Sequence, residues 1–245
     1  MTQQISSLDT AALVKKMTAE IQKGHIGDHS RKLASEPELM ARYDVTRYTL
    51  RQALSQLASM GYTYQAHGIG TFVRPRRNSH TITMQNKVNL AEELSRQTHR
   101  LETKKARQRT IPLQEAEFLP IGCELPIGTR LIEVKRFRTL DGAPYVLECS
   151  YYLDDVVGAI PEDALYGSLF DFLRSQATIK PGFLDEIISA DTLTENEADF
   201  FHLSQGAPAL VVRDDSYLNS GQLFAFSKLK YNCETTQLFM FKKLS

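Results

Sequence analysis

Cysteine is scarce in this sequence. Cys123, Cys149 and Cys233 are an odd set of three with no C-x-x-C pair, which argues against both a disulfide framework and a zinc site. No apolar run reaches the ~18–20 residues a membrane helix needs. The opening stretch, MTQQISSLDTAALVKK, lacks the basic end and apolar core of a signal peptide. These absences favour a reducing, cytoplasmic setting. Enzyme signatures are missing as well: there is no G-x-S-x-G, no P-loop, no H-E-x-x-H and no cysteine with an evident histidine partner. His25, His29, His67, His80, His99 and His202 are scattered, and none pairs at a ligand spacing. No catalytic residue, metal or cofactor is therefore predicted. What is present is ordinary for a globular chain. Its 42% hydrophobic and 24% charged residues over 245 positions exclude disorder and fibres. The length allows one large domain or two ordinary ones, at roughly 100–150 residues each.

The net charge of zero conceals an asymmetry. Residues 1–80 hold 11 Lys+Arg against 6 Asp+Glu, or +5, and the remainder holds 18 against 23, or −5. A basic N-terminal third suggests a nucleic-acid module. Within it, Leu13, Met17 and Ile21 recur at a four-residue spacing and predict a helix over about 9–24. Ser35 and Glu38 form a capping box, with Pro37 in the first turn, for a short helix from 36 to about 43. Thr46 can cap a third helix in which Leu50, Leu54 and Leu57 are the buried stripe, ended by Gly61. Its other face shows Arg47, Arg51, Gln52, Ser55 and Gln56. Two helices joined by a short turn, the second with an Arg/Thr/Gln face, are the layout that enters a major groove. The following YTYQAHGIGTFV alternates around His67-Gly68-Ile69-Gly70 and predicts a small hairpin, the wing of a winged helix.

The stretch LASEPELMARYDVTRYTLRQALSQLASMGYTYQAHGIGTFV resembles the DNA-binding region of GntR-family bacterial regulators. Their pattern runs L-P-S-E-x-x-L, then V-S/T-R-x-T-V/L-R-x-A-L-x-x-L, then G-x-G-T-F-V. The resemblance implies DNA contacts from Thr46, Arg47, Thr49 and Arg51 on the recognition helix, and from His67, Gly68 and Gly70 at the wing tip. Ser35 and Gln52 complete the predicted DNA-facing set. An arginine fork reads guanine O6/N7 for about 1–3 kcal/mol of discrimination, while threonine and backbone N–H groups hold phosphates. Two positions depart from the pattern: Ala34 stands for the usual Pro, and Pro37 for an Arg that commonly contacts DNA.

Beyond the polar, basic stretch 74–82 the pattern becomes strand-rich. Asn89 precedes LAEEL, a small helix with acidic residues in its first turn. LIEVKRFRTL and PYVLECSYYL flank Asp141-Gly142, and ALVVRDDSYL and QLFAFSKLKY flank Asn219-Ser220-Gly221, two hairpin signals. Gly142 with Gly221, Leu131 with Leu210 and Tyr152 with Tyr231 align at an offset of 79. Each hairpin follows a segment with Ala-x-Phe (Ala116/Phe118 and Ala198/Phe200), read as helical. An internal duplication and an α+β domain, an antiparallel sheet with helices on one side, are predicted. Arg136 and Arg138 share a strand face with Ile132, Val134 and Leu140, so two cations sit among apolar neighbours and want an anionic partner. A three-residue loop would place Arg136 opposite Glu148, as an internal salt bridge. A two-residue loop would turn Glu148 to the other face, and the sequence leaves both open. Ser168 opens S-x-x-D with Asp171, a helix start that is either an ordinary cap or an anion cradle.

Residues from about 88 to 241 resemble the UTRA effector domain of the HutC subfamily, which has a chorismate-lyase-like fold. The segments that carry this are R-x-R…D-G-x-P…L-E-x-S-Y, Y-G-S-L-F-D-F-L and the last strand pair. In relatives that bind phosphorylated sugars, the positions of Arg136, Arg138, Glu148, Ser168 and Tyr231 line the pocket, and backbone amides at a helix start, here Leu90 and Ala91, cradle the phosphate. Phe170 belongs to the same set but stands for a Tyr. Ala91 replaces a Ser/Thr, and Ala225 a Glu that would hold an amino-sugar. The implied effector is a phosphorylated or otherwise acidic small metabolite other than glucosamine phosphate. The resemblance thus divides the chain into a winged helix-turn-helix DNA-binding domain (1–75), a linker (76–88) and an effector-binding and dimerisation domain (89–245). It implies a cytoplasmic homodimeric regulator, a repressor, on an inverted-repeat operator in double-stranded DNA. The alternative is an enzyme of chorismate-lyase-like fold acting on a small anionic substrate.

Overall fold

The computed structural model describes residues 8–75, 81–83 and 99–240. Two compact units divide the chain. The first runs through His99 and takes back the chain from Leu238; the second is Arg100–Gln237.

Helices α1 (Thr10–Lys23), α2 (Glu36–Tyr43) and α3 (Arg47–Ser59) open the first unit, followed by the hairpin β1 (Thr63–Ala66) and β2 (Gly70–Val73). Each helix starts where a side chain satisfies its free N–H groups. Asp9 accepts from Ala12 N at 2.7 Å, Ser35 and Glu38 form a reciprocal box, and Thr46 accepts from Thr49 N at 3.1 Å. The apolar stripes Leu13/Met17/Ile21 and Leu50/Leu54/Leu57 meet Leu39, Tyr43 and Val73 in one core. One oxygen of Glu20 ties α1 to α2, accepting from Arg42 at 2.6 Å and from the Tyr43 hydroxyl at 2.8 Å. Strand β3 (Thr81–Thr83) pairs with β10 (Gln237–Phe239) in a separate two-stranded sheet.

The second unit is a six-stranded antiparallel sheet in the order β4-β5-β6-β9-β8-β7. Its strands are β4 (Leu101–Pro112), β5 (Arg130–Leu140), β6 (Ala143–Leu153), β7 (Pro181–Thr192), β8 (Pro208–Leu218) and β9 (Leu223–Asn232). Two halves, each an outer strand followed by a hairpin, meet where β6 pairs with β9, which is the topology a duplication produces. The Ala116–Phe118 segment is a correction to the repeat as read from sequence. It follows a short 3-10 turn and is not helical, yet Phe118 still packs against Tyr151 and Phe226, at 5.0 and 5.8 Å between ring centroids.

Helices cover both faces of the sheet, not one. Between β6 and β7 lie α4 (Asp154–Val157), α5 (Glu162–Tyr166) and α6 (Leu169–Ser175). Their Val157, Ala164, Leu165, Leu169 and Leu173 pack on Ile132, Val134 and Tyr152. On the opposite face, α7 (Glu195–Phe201) packs Ala198 and Phe201 near Leu147, with Phe200 edge-on to Phe137 at 5.3 Å. The central strands β5 and β6 are buried along most of their length on both sides, so one layer of helices could not have shielded them. The small helix predicted after Asn89 lies outside the described residues. No helix among the described residues is long and apolar enough to cross a membrane.

Candidate functional site

In the first unit, the capped start of α3 presents Thr46, Arg47, Arg51 and Gln52 to solvent, while Leu50, Ala53, Leu54 and Leu57 face inward. Thr49 is half-buried, with its hydroxyl 3.0 Å from that of Thr46. Glu36, at the start of α2, receives Arg51 Nε at 3.1 Å and stands 3.9 Å from Arg47 Nε. One carboxylate thereby holds both arginines predicted to read bases. Ser35 is exposed, but its hydroxyl donates to Glu38 at 2.7 Å. Tyr48 is 74% exposed beside these groups. Its place between Arg47 and Thr49, off the Leu50/Leu54 stripe, is the signal in the sequence that sets it on the outer face.

The predicted wing is a hairpin with Thr63 opposite Val73 and Ala66 opposite Gly70. Tyr64 and Phe72 stack across it at 5.4 Å, and residues 31–33 line its outer side through Leu33 N–Thr71 O and Val73 N–Arg31 O bonds. Gly70 has φ +145, and a Cβ there would lie 2.7 Å from Lys32 Cε. His67, Gly68 and Gly70 all fall at the tip as predicted.

In the second unit, the register left open by the sequence is resolved by a device that neither alternative contained. The turn has two residues, Asp141 (φ 51) and Gly142 (φ 89), the left-handed pair a tight hairpin requires. A bulge then intervenes: Arg138 pairs with Val146 but Thr139 with Pro144. Tyr145 is the extra residue, and it restores the pairing of Arg136 with Glu148.

Arg136, Arg138 and Glu148 form a buried cluster, 5, 6 and 8% exposed. Arg136 donates to both Glu148 oxygens at 2.7 and 2.6 Å and to Gly167 O at 3.2 Å. Arg138 reaches the same carboxylate at 3.5 Å, and Ser150 donates to it at 3.2 Å. Arg136 Nε and Arg138 Nε are buried and find no hydrogen-bond partner among the described residues. Two cations thus share one carboxylate. Burial, with Arg136 alongside, pushes the Arg138 guanidinium down to about 10. Burial alone would raise Glu148, but Arg136 and Arg138 more than offset it and hold the carboxyl below its usual range.

The other predicted pocket residues divide. Tyr231 is buried opposite Val146, on the rung of Arg138, and edge-on to Tyr145 at 5.7 Å. Ser168 caps α6, accepting from Asp171 N at 3.1 Å, next to the Gly167 carbonyl that Arg136 holds. Phe170 lies against the Arg174 guanidinium at 4.4 Å. Leu90 and Ala91 lie outside the described residues. Ala225 is buried between Tyr152 and Ser216 in the sheet. No cluster of metal-ligating side chains occurs among the described residues.

Comparison with known proteins accords with both halves. A model of the UTRA domain matches residues 96–237, and one of the bacterial regulatory proteins of the gntR family matches residues 10–73. The chain is 29% identical over 199 residues to the uncharacterized HTH-type transcriptional regulator YydK of Bacillus subtilis, covering 81% of this chain and 83% of that one. It is 24% identical over 220 residues to the HTH-type transcriptional repressor NagR of the same organism, covering 89% and 88%. The crystal structure of YydK superposes with a TM-score of 0.73 at 26% identity, over 96% of this chain and 100% of that one. PhnF from Mycobacterium smegmatis shares the fold, with a TM-score of 0.56 at 19% identity over 95% and 100%. These relatives are regulators, and the enzyme alternative has no counterpart among them. Capped recognition helix, glycine-tipped wing and UTRA sheet together place the chain in the gntR family of bacterial regulatory proteins, as a DNA-binding transcriptional regulator with a C-terminal UTRA domain.

Proposed function

We propose that this regulator is a homodimeric repressor of the HutC type whose hold on operator DNA is released by a small acidic metabolite, with phosphorylated sugars the leading class. Residues 1–75 form the DNA-binding head, 76–88 the linker and 89–245 the effector-binding and dimerisation domain. The observation that carries the effector reading is the unequal cluster in the UTRA sheet: two buried guanidinium groups, each with an unsatisfied Nε, against one carboxylate. Such a pair favours an incoming anion, because the second cation has only a share of one carboxylate, at 3.5 Å, against its burial. Ser168 and Tyr231 are assigned to the same pocket, with Phe170, Leu90 and Ala91 as further lining.

On the DNA side, Arg47 and Arg51 read bases from α3, Thr46, Thr49, Ser35 and Gln52 fix its register on the phosphates, and His67, Gly68 and Gly70 bring the wing against the backbone. The repressor role is supported by the name of NagR. A homodimer in the cytoplasm suits an inverted-repeat operator, whose two-fold symmetry a two-fold protein matches. The apolar, exposed edge strand β7, with Phe183, Leu184, Ile187 and Ile188 each 43–54% exposed, supplies a surface of the kind a second copy covers.

The test is a thermal-shift panel of phosphorylated sugars, other acidic metabolites and neutral sugars on wild type and Arg136→Ala. A ligand at 100 times its Kd stabilises by about 2.7 kcal/mol. An anionic hit that Arg136→Ala loses supports the reading. A neutral sugar binding equally to both proteins refutes it.

A further inference from the structure

The cation pair occupies one end of a longer polar stripe. Three successive rungs of the sheet face that α4, α5 and α6 cover run across β5, β6, β9, β8 and β7. They are Val134–Ser150–Ser227–Asp214–Glu186, then Arg136–Glu148–Leu229–Val212–Ile188, then Arg138–Val146–Tyr231–Leu210–Ala190. Directly opposite residues in an antiparallel sheet point to the same side. Asp214 therefore shares a face with both arginines. It is half-buried, and its hydrogen bond comes from Ser216 Oγ, two residues along its own strand, at 3.3 Å. No cation stands within ion-pair distance of it among the described residues. Its field nonetheless reaches the cluster: burial comes first in raising Tyr231 and Tyr152, and Asp214 and Glu148 add to it in both.

The three strand spacings and one two-residue step between Arg136 and Asp214 put their Cα atoms roughly 16 Å apart. Buried arginines with unsatisfied Nε atoms at one end and an acceptor without a cation at the other make a site with two poles.

Resting on the reading that Arg136 and Arg138 take the anionic group, we propose that Asp214 is the second pole of the effector site, accepting hydrogen bonds from hydroxyl or ammonium groups on the ligand's far end. The effector is then a small phosphate ester with at least one donor several atoms from the phosphate. A simple anion fills only half of the site.

The experiment is titration calorimetry on the full chain with propyl phosphate, glycerol 3-phosphate, ribose 5-phosphate and glucose 6-phosphate. Proteins compared are wild type, Asp214→Ala, Asp214→Asn and Arg136→Ala, each checked for wild-type circular dichroism. Wild type should prefer at least one hydroxylated ester to propyl phosphate by ten-fold or more. Asp214→Ala should erase that preference and leave propyl phosphate binding unchanged, with Asp214→Asn, which keeps one acceptor oxygen, in between. Arg136→Ala should weaken all four esters. A wild type that does not discriminate, or folded Asp214 variants that keep the preference, overturns the second pole alone. Phosphate binding that survives Arg136→Ala, or no binding of any ester by wild type, overturns the anion reading and the second pole with it.

Discussion

Glu148 illustrates how much a single side chain governs here. It is the one carboxylate set against two buried guanidinium groups, and without it both cations would be buried with no counter-charge. Glu148→Gln should therefore destabilise the protein by about 3–5 kcal/mol, read as a lower urea midpoint, and a saturating anionic effector should restore part of it. Asp214 works in the opposite sense. Burial pushes its carboxyl up to about 7, with Glu186 and Glu148 adding to the effect. Its folded-state value lies above the unfolded one, so the native state holds the proton more tightly and stability falls as pH rises from about 4 towards 7. Asp214→Asn should be neutral at pH 4.5 and raise the melting temperature by several degrees at pH 8, an increment on the order of 2–4 kcal/mol. Equal melting temperatures at both pH values would place the carboxyl in a wetter, better-paired setting.

Among the elements, α3 was legible because three local rules agree on it: a cap at Thr46, an apolar stripe at Leu50/Leu54/Leu57, and an end at Gly61. Thr46→Ala removes the bond to Thr49 N and should cost about 1 kcal/mol, while weakening operator binding further through the loosened helix start. The wing was legible for a similar reason, since its glycines are needed where they fall. Gly70→Ala, with its Cβ set 2.7 Å from Lys32 Cε at φ +145, should disturb the wing and reduce DNA affinity without moving effector affinity. The outer strands escaped notice. β4 reads LETKKARQRTIP, and β7 lies exposed along nearly its whole length, so neither carries the alternation that marks a half-buried strand; their place is set by neighbours distant in sequence. The pairing of Arg136 with Glu148 depends on the Tyr145 bulge, and one extra residue in a strand leaves no trace in a period-two pattern. The pocket residues were thus nameable from their pattern, but their mutual geometry was a tertiary property.

At the scale of the molecule, the +5 of residues 1–80 against −5 elsewhere assigns the electrostatic contact with DNA to the first unit. Operator affinity should fall steeply with salt, and Arg47→Ala should weaken it while leaving effector binding intact; a salt-flat interaction would contradict the DNA contacts proposed above. The connection between the two functions follows from how the chain is threaded. Tyr231, beside the arginine pair, is followed within six residues by β10, which pairs with β3 in the stretch that leads away from the DNA-binding head. A ligand that shifts β9 therefore has a route to the linker through the chain into β10 and the β10–β3 pairing, and if effector releases DNA as proposed, linkage makes the antagonism equal in both directions. Leu238→Pro removes a backbone donor from β10 and adds a ring that a strand accommodates poorly. It should leave the affinity for effector alone and for operator alone within about two-fold, and abolish the mutual antagonism between them, because a coupling of 5- to 150-fold corresponds to only about 1–3 kcal/mol and a short strand pair is enough to carry it. Operator titrations with and without saturating effector, on wild type and variant, measure that coupling directly; antagonism that persists in the variant would assign the route to elements other than β10.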